Sequence, residues 1–247
     1  MERPRRPIAV PELFLGLLAI GVAVVLTAKI FSGTIKDVRH TRDTLSVTGS
    51  ARVPIDANLV RWYLSVGPQA AKPALAARLL RRQVPVVRAF LRKAGIPADE
   101  ISVDVVTTDT NVIPLPHKRR RTVYIVSQRL EVSTRQIDVV ERAATGVGGL
   151  IERGIAVSAA PLQYVSTELT RAKLTALEKA TAEARRRAEI LVDGLGGKLG
   201  RMRSSGQGVF QVTPRDSTEV SDYGINDTSS REKDVNAVVS ATFEVKR

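Results

Sequence analysis

From residue 44 onward, apolar and polar positions follow two periods in turn. In "TLSVTGSARV" (44–53), Leu45, Val47, Gly49, Ala51 and Val53 fall on one face, which predicts a half-buried strand. "NLVRWYLSVG" (58–67) repeats the pattern with Val60, Trp62, Leu64 and Val66. The period then lengthens over residues 68–95, where Leu75, Leu79, Val86 and Phe90 form a helical stripe flanked by Leu80, Val87 and Leu91. Pro85 inside that helix should kink it, and Gly95 followed by Pro97 should end it. Residues 100–113 and 122–133 read as two more strands, and 134–154 as a second helix that Thr134 can cap. A short strand is expected over 155–166, with Pro161 marking a bulge or an edge. Residues 167–197 form the longest helix, and Ala172, Ala176, Ala180, Ala184 and Ala188 share one side of it between Leu169 and Leu191. Such small residues allow close approach to a sheet or to another helix. "KLGRMRS" (198–204) begins a strand, 204–234 reads as a mobile polar loop, and "VNAVVSATFEV" (235–245) alternates strictly as a final strand. The order ββαββαβαββ predicts an α+β fold, a mostly antiparallel sheet with helices packed on one face.

The first 43 residues are of another kind. Residues 13–31 run from Leu13 to Phe31 with Lys29 as their one charge. That is close to the ~20 residues a helix needs to cross the hydrocarbon core of a bilayer. Three arginines precede the run. The expected organisation is a short basic cytoplasmic tail (1–12), a single transmembrane helix (13–31), a linker (32–43) and one domain (44–247). Cleavage as a signal peptide is the competing reading, although no A-x-A pattern precedes a cleavage point. A short tail stays in the cytosol while a long domain is translocated, so residues 32–247 are expected outside the cytoplasmic membrane.

Composition narrows the chemistry. The 247 residues include no cysteine and two histidines, His40 and His117. Thiol nucleophiles and thiolate metal sites are excluded, and a histidine-based triad or multi-histidine metal site nearly so. No catalytic, cofactor-binding or metal-binding residue can be named, and the chain is expected not to be an enzyme. The formal charge is +13. Its densest part is "HKRRR" (117–121), in which Lys118, Arg119, Arg120 and Arg121 are candidates for contact with an anionic envelope component or a sister subunit. Nucleic acid is not expected as a partner, because only Tyr124 could stack on a base nearby and the domain is expected outside the cytoplasm. Six acids in 204–234 (Asp216, Glu219, Asp222, Asp227, Glu232 and Asp234) could dock on the basic loop of a neighbour.

Five stretches, in order, resemble the SIMPL-domain family. "TLSVTGSARVPIDANLVRWYLSVGPQA" is similar to its opening strand, turn and second strand. "LRKAGIPADEIS", "VYIVSQRLEVSTRQIDVV", "ELTRAKLTALEKATAEARRRAEILVDGLGGKLGRM" and "VNAVVSATFEV" match its later segments. Ala51 and Val123 stand where the family pattern has glycine. The resemblance implies an exported or anchored cell-envelope protein without accepted catalytic residues. It further implies a tendency to form ring-like or barrel-like homo-oligomers and, for some members, a link to oxidative stress. Self-assembly through sheet edges and the alanine face of the long helix is the expectation for this chain. A monomeric module binding an anion through 117–121 is the alternative.

Overall fold

A computed structural model describes residues 43–117 and 120–246. The expected tail 1–12, the transmembrane helix 13–31 and all but the last residue of the linker 32–43 lie outside the described residues, as do Lys118 and Arg119. Among the described residues, no helix is long and apolar enough to cross a membrane.

The elements are β1 (Thr44–Asp56), β2 (Leu59–Val66), β3 (Gln69–Ala70), α1 (Pro73–Lys93), β4 (Ile101–Pro114), β5 (Arg120–Thr134), α2 (Ile137–Gly146), α3 (Gly148–Glu152), β6 (Val157–Ala159), β7 (Gln163–Val165), α4 (Leu169–Gly194), β8 (Lys198–Gln207), β9 (Gln211–Pro214), β10 (Ile225–Asn226) and β11 (Glu232–Lys246). The fold is α+β and mostly antiparallel, as the alternation of periods implied, but the described strands form two sheets, of five and six strands, where a single sheet was expected. The two-residue β10 pairs with β9 in parallel.

The chain divides into two compact units. The larger holds residues 50–183 and 207–239. In its main sheet β2 pairs with β5 on one side and with β6 and β7 on the other, while β4 pairs with β5. Val60, Trp62, Leu64 and Val66 alternate inward from β2 and meet Leu130 and Val132 of β5, Leu80, Val87 and Leu91 of α1, and Val140 of α2. Burying each such side chain contributes ~1.5–3 kcal/mol. Trp62 is 1% exposed, and its indole N–H donates to the Ala160 carbonyl at 3.1 Å. A second cluster packs Ala172, Ala176 and Ala180 of α4 against Val212, Val235, Ala237 and Val239.

The smaller unit holds residues 43–49, 184–206 and 240–246. Its core is Ala184 and Ala188 against Val47, Ala241 and Phe243. Gly200 of β8 is fitted tightly there, since a Cβ on it would stand 2.6 Å from Glu244 Cβ. Strands β1 and β11 and helix α4 contribute residues to both units.

Four further expectations need correction. The buried face of α1 is Ala76, Leu80, Val84, Val87 and Leu91, whereas Leu75 and Val86 are 43% and 37% exposed. The two candidate stripes overlap on the helix surface, and the sheet takes the one holding the small Ala76. Helix α1 continues through Pro85, the position of the expected kink, which lies on its exposed side. The helix expected over 134–154 is divided at Val147 into α2 and α3, and the strand over 155–166 is divided around Pro161 into β6 and β7. Residues 204–234 carry the end of β8, then β9, β10 and the start of β11, with Gln211, Val212 and Thr213 buried. Strands of two to four residues are too short to show a period.

The predicted helix stop is local in origin. At the end of α1 the Gly95 N–H donates to the Arg92 carbonyl at 3.0 Å and the Ile96 N–H to the Leu91 carbonyl at 3.2 Å. This is the Schellman arrangement, and Gly95 at φ 105° takes the left-handed position it requires.

Candidate functional site

Strands β4 and β5 pair from Ile101 opposite Val132 to Pro114 opposite Arg120, and His117, Arg120 and Arg121 of the basic run lie at the described end of that hairpin. His117 occupies the turn at φ 61°, and Arg120 and Arg121 open β5 opposite Pro114 and Ile113. Both arginines are exposed, without an ion pair among the described residues. Lys118 and Arg119 lie outside the described residues, so the structure places two of the four candidate cations.

Strand β4 is paired on one side only, and all its residues but Ile101 are exposed. Val105 is 82% exposed, Val106 52% and Val112 48%. A register shift between Val103 and Val106 marks a bulge, where the Gln128 amide donates to the Asp104 carbonyl at 2.8 Å. Asp104 and Asp109 stand five residues apart on this one strand, or ~16 Å at ~3.3 Å per residue, too far to act as a carboxylate pair.

The alanine face of α4 lies elsewhere than the assembly reading needs. Ala172, Ala176, Ala180, Ala184 and Ala188 are 0–7% exposed, covered within each unit by the clusters described above. Small side chains let this helix lie on its own strands, which leaves those five alanines no surface for a second copy. The buried row ends at Val192, and Leu191 is 49% exposed.

A polar cluster that the spacing did not reveal surrounds Asp227. Lys233 is 2% exposed, and its ammonium donates to the Asp227 carbonyl and to Asp227 Oδ2, both at 2.8 Å. The Asp227 carboxylate also accepts from the Ser229 N–H at 2.9 Å, the Ser229 hydroxyl at 2.7 Å, the Ser230 N–H at 3.2 Å and the Ser230 hydroxyl. Burial opposes its ionisation, but the hydrogen bonds from Lys233, Ser230 and Ser229 outweigh that cost and hold the carboxyl well below the usual carboxylate range. Nearby in the same unit, the Tyr164 hydroxyl donates to Glu141 at 2.8 Å. Burial and then Glu141 push this phenol up to about 12. Arg231 meets Asp138 at 2.6 Å, and Asp138 holds the guanidinium above its usual range.

A shallow hollow of about 230 Å³ borders Asp227, Lys233, Tyr164 and Arg61. Its carboxylate stays ionised and fully hydrogen-bonded at neutral pH, and its phenol stays protonated. Neither is poised to exchange a proton near pH 7. The chemistry is that of a locked joint. The signal in the sequence is "DTSSREK" (227–233), with Ser229 and Ser230 among three hydroxyl residues between an acid and a lysine, which takes meaning only once the loop closes.

The other acids of 204–234 are largely engaged within the domain. Asp234, its side chain 3% exposed, lies 3.6 Å from Arg52, Asp216 lies 3.9 Å from Arg52, and Glu232 lies 2.9 Å from Arg215. Four of the six therefore already face cations of their own chain, which takes most of the charge away from docking on a neighbour's basic loop.

The model of the SIMPL family, described as a protein of unknown function (DUF541), matches residues 45–243, so the chain belongs to the SIMPL family. No curated protein matches the chain. Among solved structures, the ligand-free regulatory subunit of aspartate kinase from Thermus thermophilus aligns over 78% of this chain and 88% of its own at 14% identity. Its TM-score of 0.17 is too low to bear on fold or function.

Proposed function

We propose that this SIMPL-domain protein is a non-catalytic scaffold of the cell envelope. Residues 13–31 tether it to the membrane, its domain lies outside the cytoplasm, and it assembles into a closed ring-like or barrel-like homo-oligomer with a part in stress protection. The observation that carries the reading is the edge of β4, 14 residues long, unpaired along one side and exposing Val105, Val106 and Val112. Monomeric proteins blunt such edges with lysine, proline or a covering element, and an exposed apolar edge is a template for pairing with another chain. The bulge at Val103–Val106 interrupts the edge without covering it. The non-catalytic part of the reading is supported by the lack of cysteine and the presence of only two histidines in the sequence.

Light scattering after gel filtration of residues 40–247 tests the assembly. A discrete particle several times the monomer mass is the expected result, and a monomer at low and high salt would defeat assembly by this domain. That second result would favour a monomeric module that recruits an anion through the hairpin tip, a reading supported by the exposed Arg120 and Arg121. Such binding would weaken steeply with salt.

A further inference from the structure

Helix α1 carries six cations, Arg78, Arg81, Arg82, Arg88, Arg92 and Lys93, and no acid. All six are exposed, and none has an ion-pair partner among the described residues. Other arginines of this chain do have partners, as Arg171 has Glu168, Arg185 has Glu189 and Arg231 has Asp138. Arg78 with Arg82 and Arg88 with Arg92 are also like charges at i,i+4, an arrangement that weakens an isolated helix. The outer face of α1 is therefore a band of positive charge that its own domain does not neutralise.

Apolar surface lies within that band. Leu75 and Val86 are 43% and 37% exposed on the same helix. Between α1 and α2 opens a cleft of about 550 Å³ lined by Val86, Ala89 and Phe90 and rimmed by Lys93, Arg142 and Arg153, with no acid in its wall. Gly146 leaves room over the Phe90 ring, where a Cβ would come within 3.5 Å of Cζ.

We propose that this α1–α2 face docks onto anionic lipid headgroups, with the arginines on the phosphates and an apolar part of the lipid in the Phe90 cleft. The apolar cleft decides the ligand class. A nucleic-acid backbone or a free phosphate would satisfy the cations but leave Phe90, Val86 and Leu75 without a partner, whereas an anionic phospholipid offers both. The proposal rests on the membrane-attached reading above and names a surface for it other than the hairpin tip.

The test uses the full chain in phosphatidylcholine nanodiscs, with an environment-sensitive dye on Thr145→Cys beside the cleft. The chain has no cysteine of its own, so the label is unique. Titration with short-chain phosphatidylglycerol should saturate the dye response. Short-chain phosphatidylcholine, glycerol phosphate and duplex DNA should each give little response. The Arg78→Gln/Arg82→Gln/Arg92→Gln variant should bind about tenfold or more weakly, by loss of charge-assisted contacts. The matching triple Arg→Lys variant should retain most of the response, and unchanged Trp62 fluorescence would show that both variants are folded. An equal response to glycerol phosphate or DNA would make the face a general anion site and overturn the lipid assignment. No response to phosphatidylglycerol, or one untouched by the Gln variant, would overturn it outright. Failure of the chain to enter nanodiscs would instead defeat the membrane-attached reading.

Discussion

Lys233 and Asp227 show at single-residue scale how a polar loop acquires a fixed conformation. A lysine 2% exposed is tolerable only because its charge is met by a carboxylate and a carbonyl, each at 2.8 Å. Replacing Lys233 by Ala leaves Asp227, its side chain 8% exposed, buried without its cation. The expected loss is about 3–5 kcal/mol, measurable by urea unfolding followed through Trp62, the single tryptophan. The pair also sets an acid limit. The folded Asp227 carboxyl titrates below its unfolded value of ~3.9, so below about pH 4 the unfolded state binds more protons. Its contribution is complete above about pH 5 and is lost as pH falls toward the folded value. Stability measured against pH should therefore fall less steeply below pH 4 in Asp227→Asn than in the parent. Tyr164 acts at the other end. Its phenol is raised to about 12, so its contribution is present below pH ~10 and lost as pH rises through the folded value. The alkaline fall in melting temperature should be shallower in Tyr164→Phe.

At the scale of elements, α1, β8 and β4 each make a separate prediction. Pro85 removes one backbone hydrogen bond from the interior of α1, and proline in a helix interior is ~3 kcal/mol less favourable than alanine. Because Pro85 is exposed and the helix is already continuous there, Pro85→Ala should raise stability, by about 1–3 kcal/mol on thermal or urea unfolding. Gly200 answers to space, since an added Cβ would stand 2.6 Å from Glu244 Cβ and 3.0 Å from the Glu244 carbonyl oxygen. Gly200→Ala should destabilise by about 1–3 kcal/mol in the same assay. On β4, Val105 is 82% exposed, so Val105→Lys should leave the melting temperature nearly unchanged. The same change places an ammonium on the open edge and should reduce the particle mass in light scattering. A full-size particle from this variant would remove β4 as the assembly edge.

For the whole molecule, the distribution of charge matters more than its sum of +13. The acids of 216–234 are spent largely on Arg52, Arg215 and Lys233, whereas the cations of α1 have no partner among the described residues. Cations without an ion pair among the described residues line the outer face of α1, and Arg120 and Arg121 stand beside the hairpin turn, while the long β4 edge carries no cation. Two surfaces of different chemistry follow: an apolar edge suited to a second copy and a basic face suited to lipid. Raised salt should weaken lipid binding steeply and leave β4-mediated assembly nearly intact, because strand pairing and apolar contact are little screened. Light scattering and the nanodisc titration, each repeated at low and high salt, check that separation.

What the sequence determined by itself was whatever depends on long, regular periods. Strands β1, β2 and β11 and helix α4 repeat their apolar positions often enough that only one face can be buried, and Gly95 stops α1 by purely local geometry. Together with the motif order, that sufficed for the α+β class and the SIMPL family. Tertiary structure decided the rest, because each outcome turned on a contact between distant residues. Which of two overlapping stripes of α1 is buried depends on the sheet it meets, and the alanines of α4 are covered because their own strands lie against them. The Asp227–Lys233 pair exists only where the loop folds back, with the charge locked because its hydrogen bonds outweigh the cost of burying it.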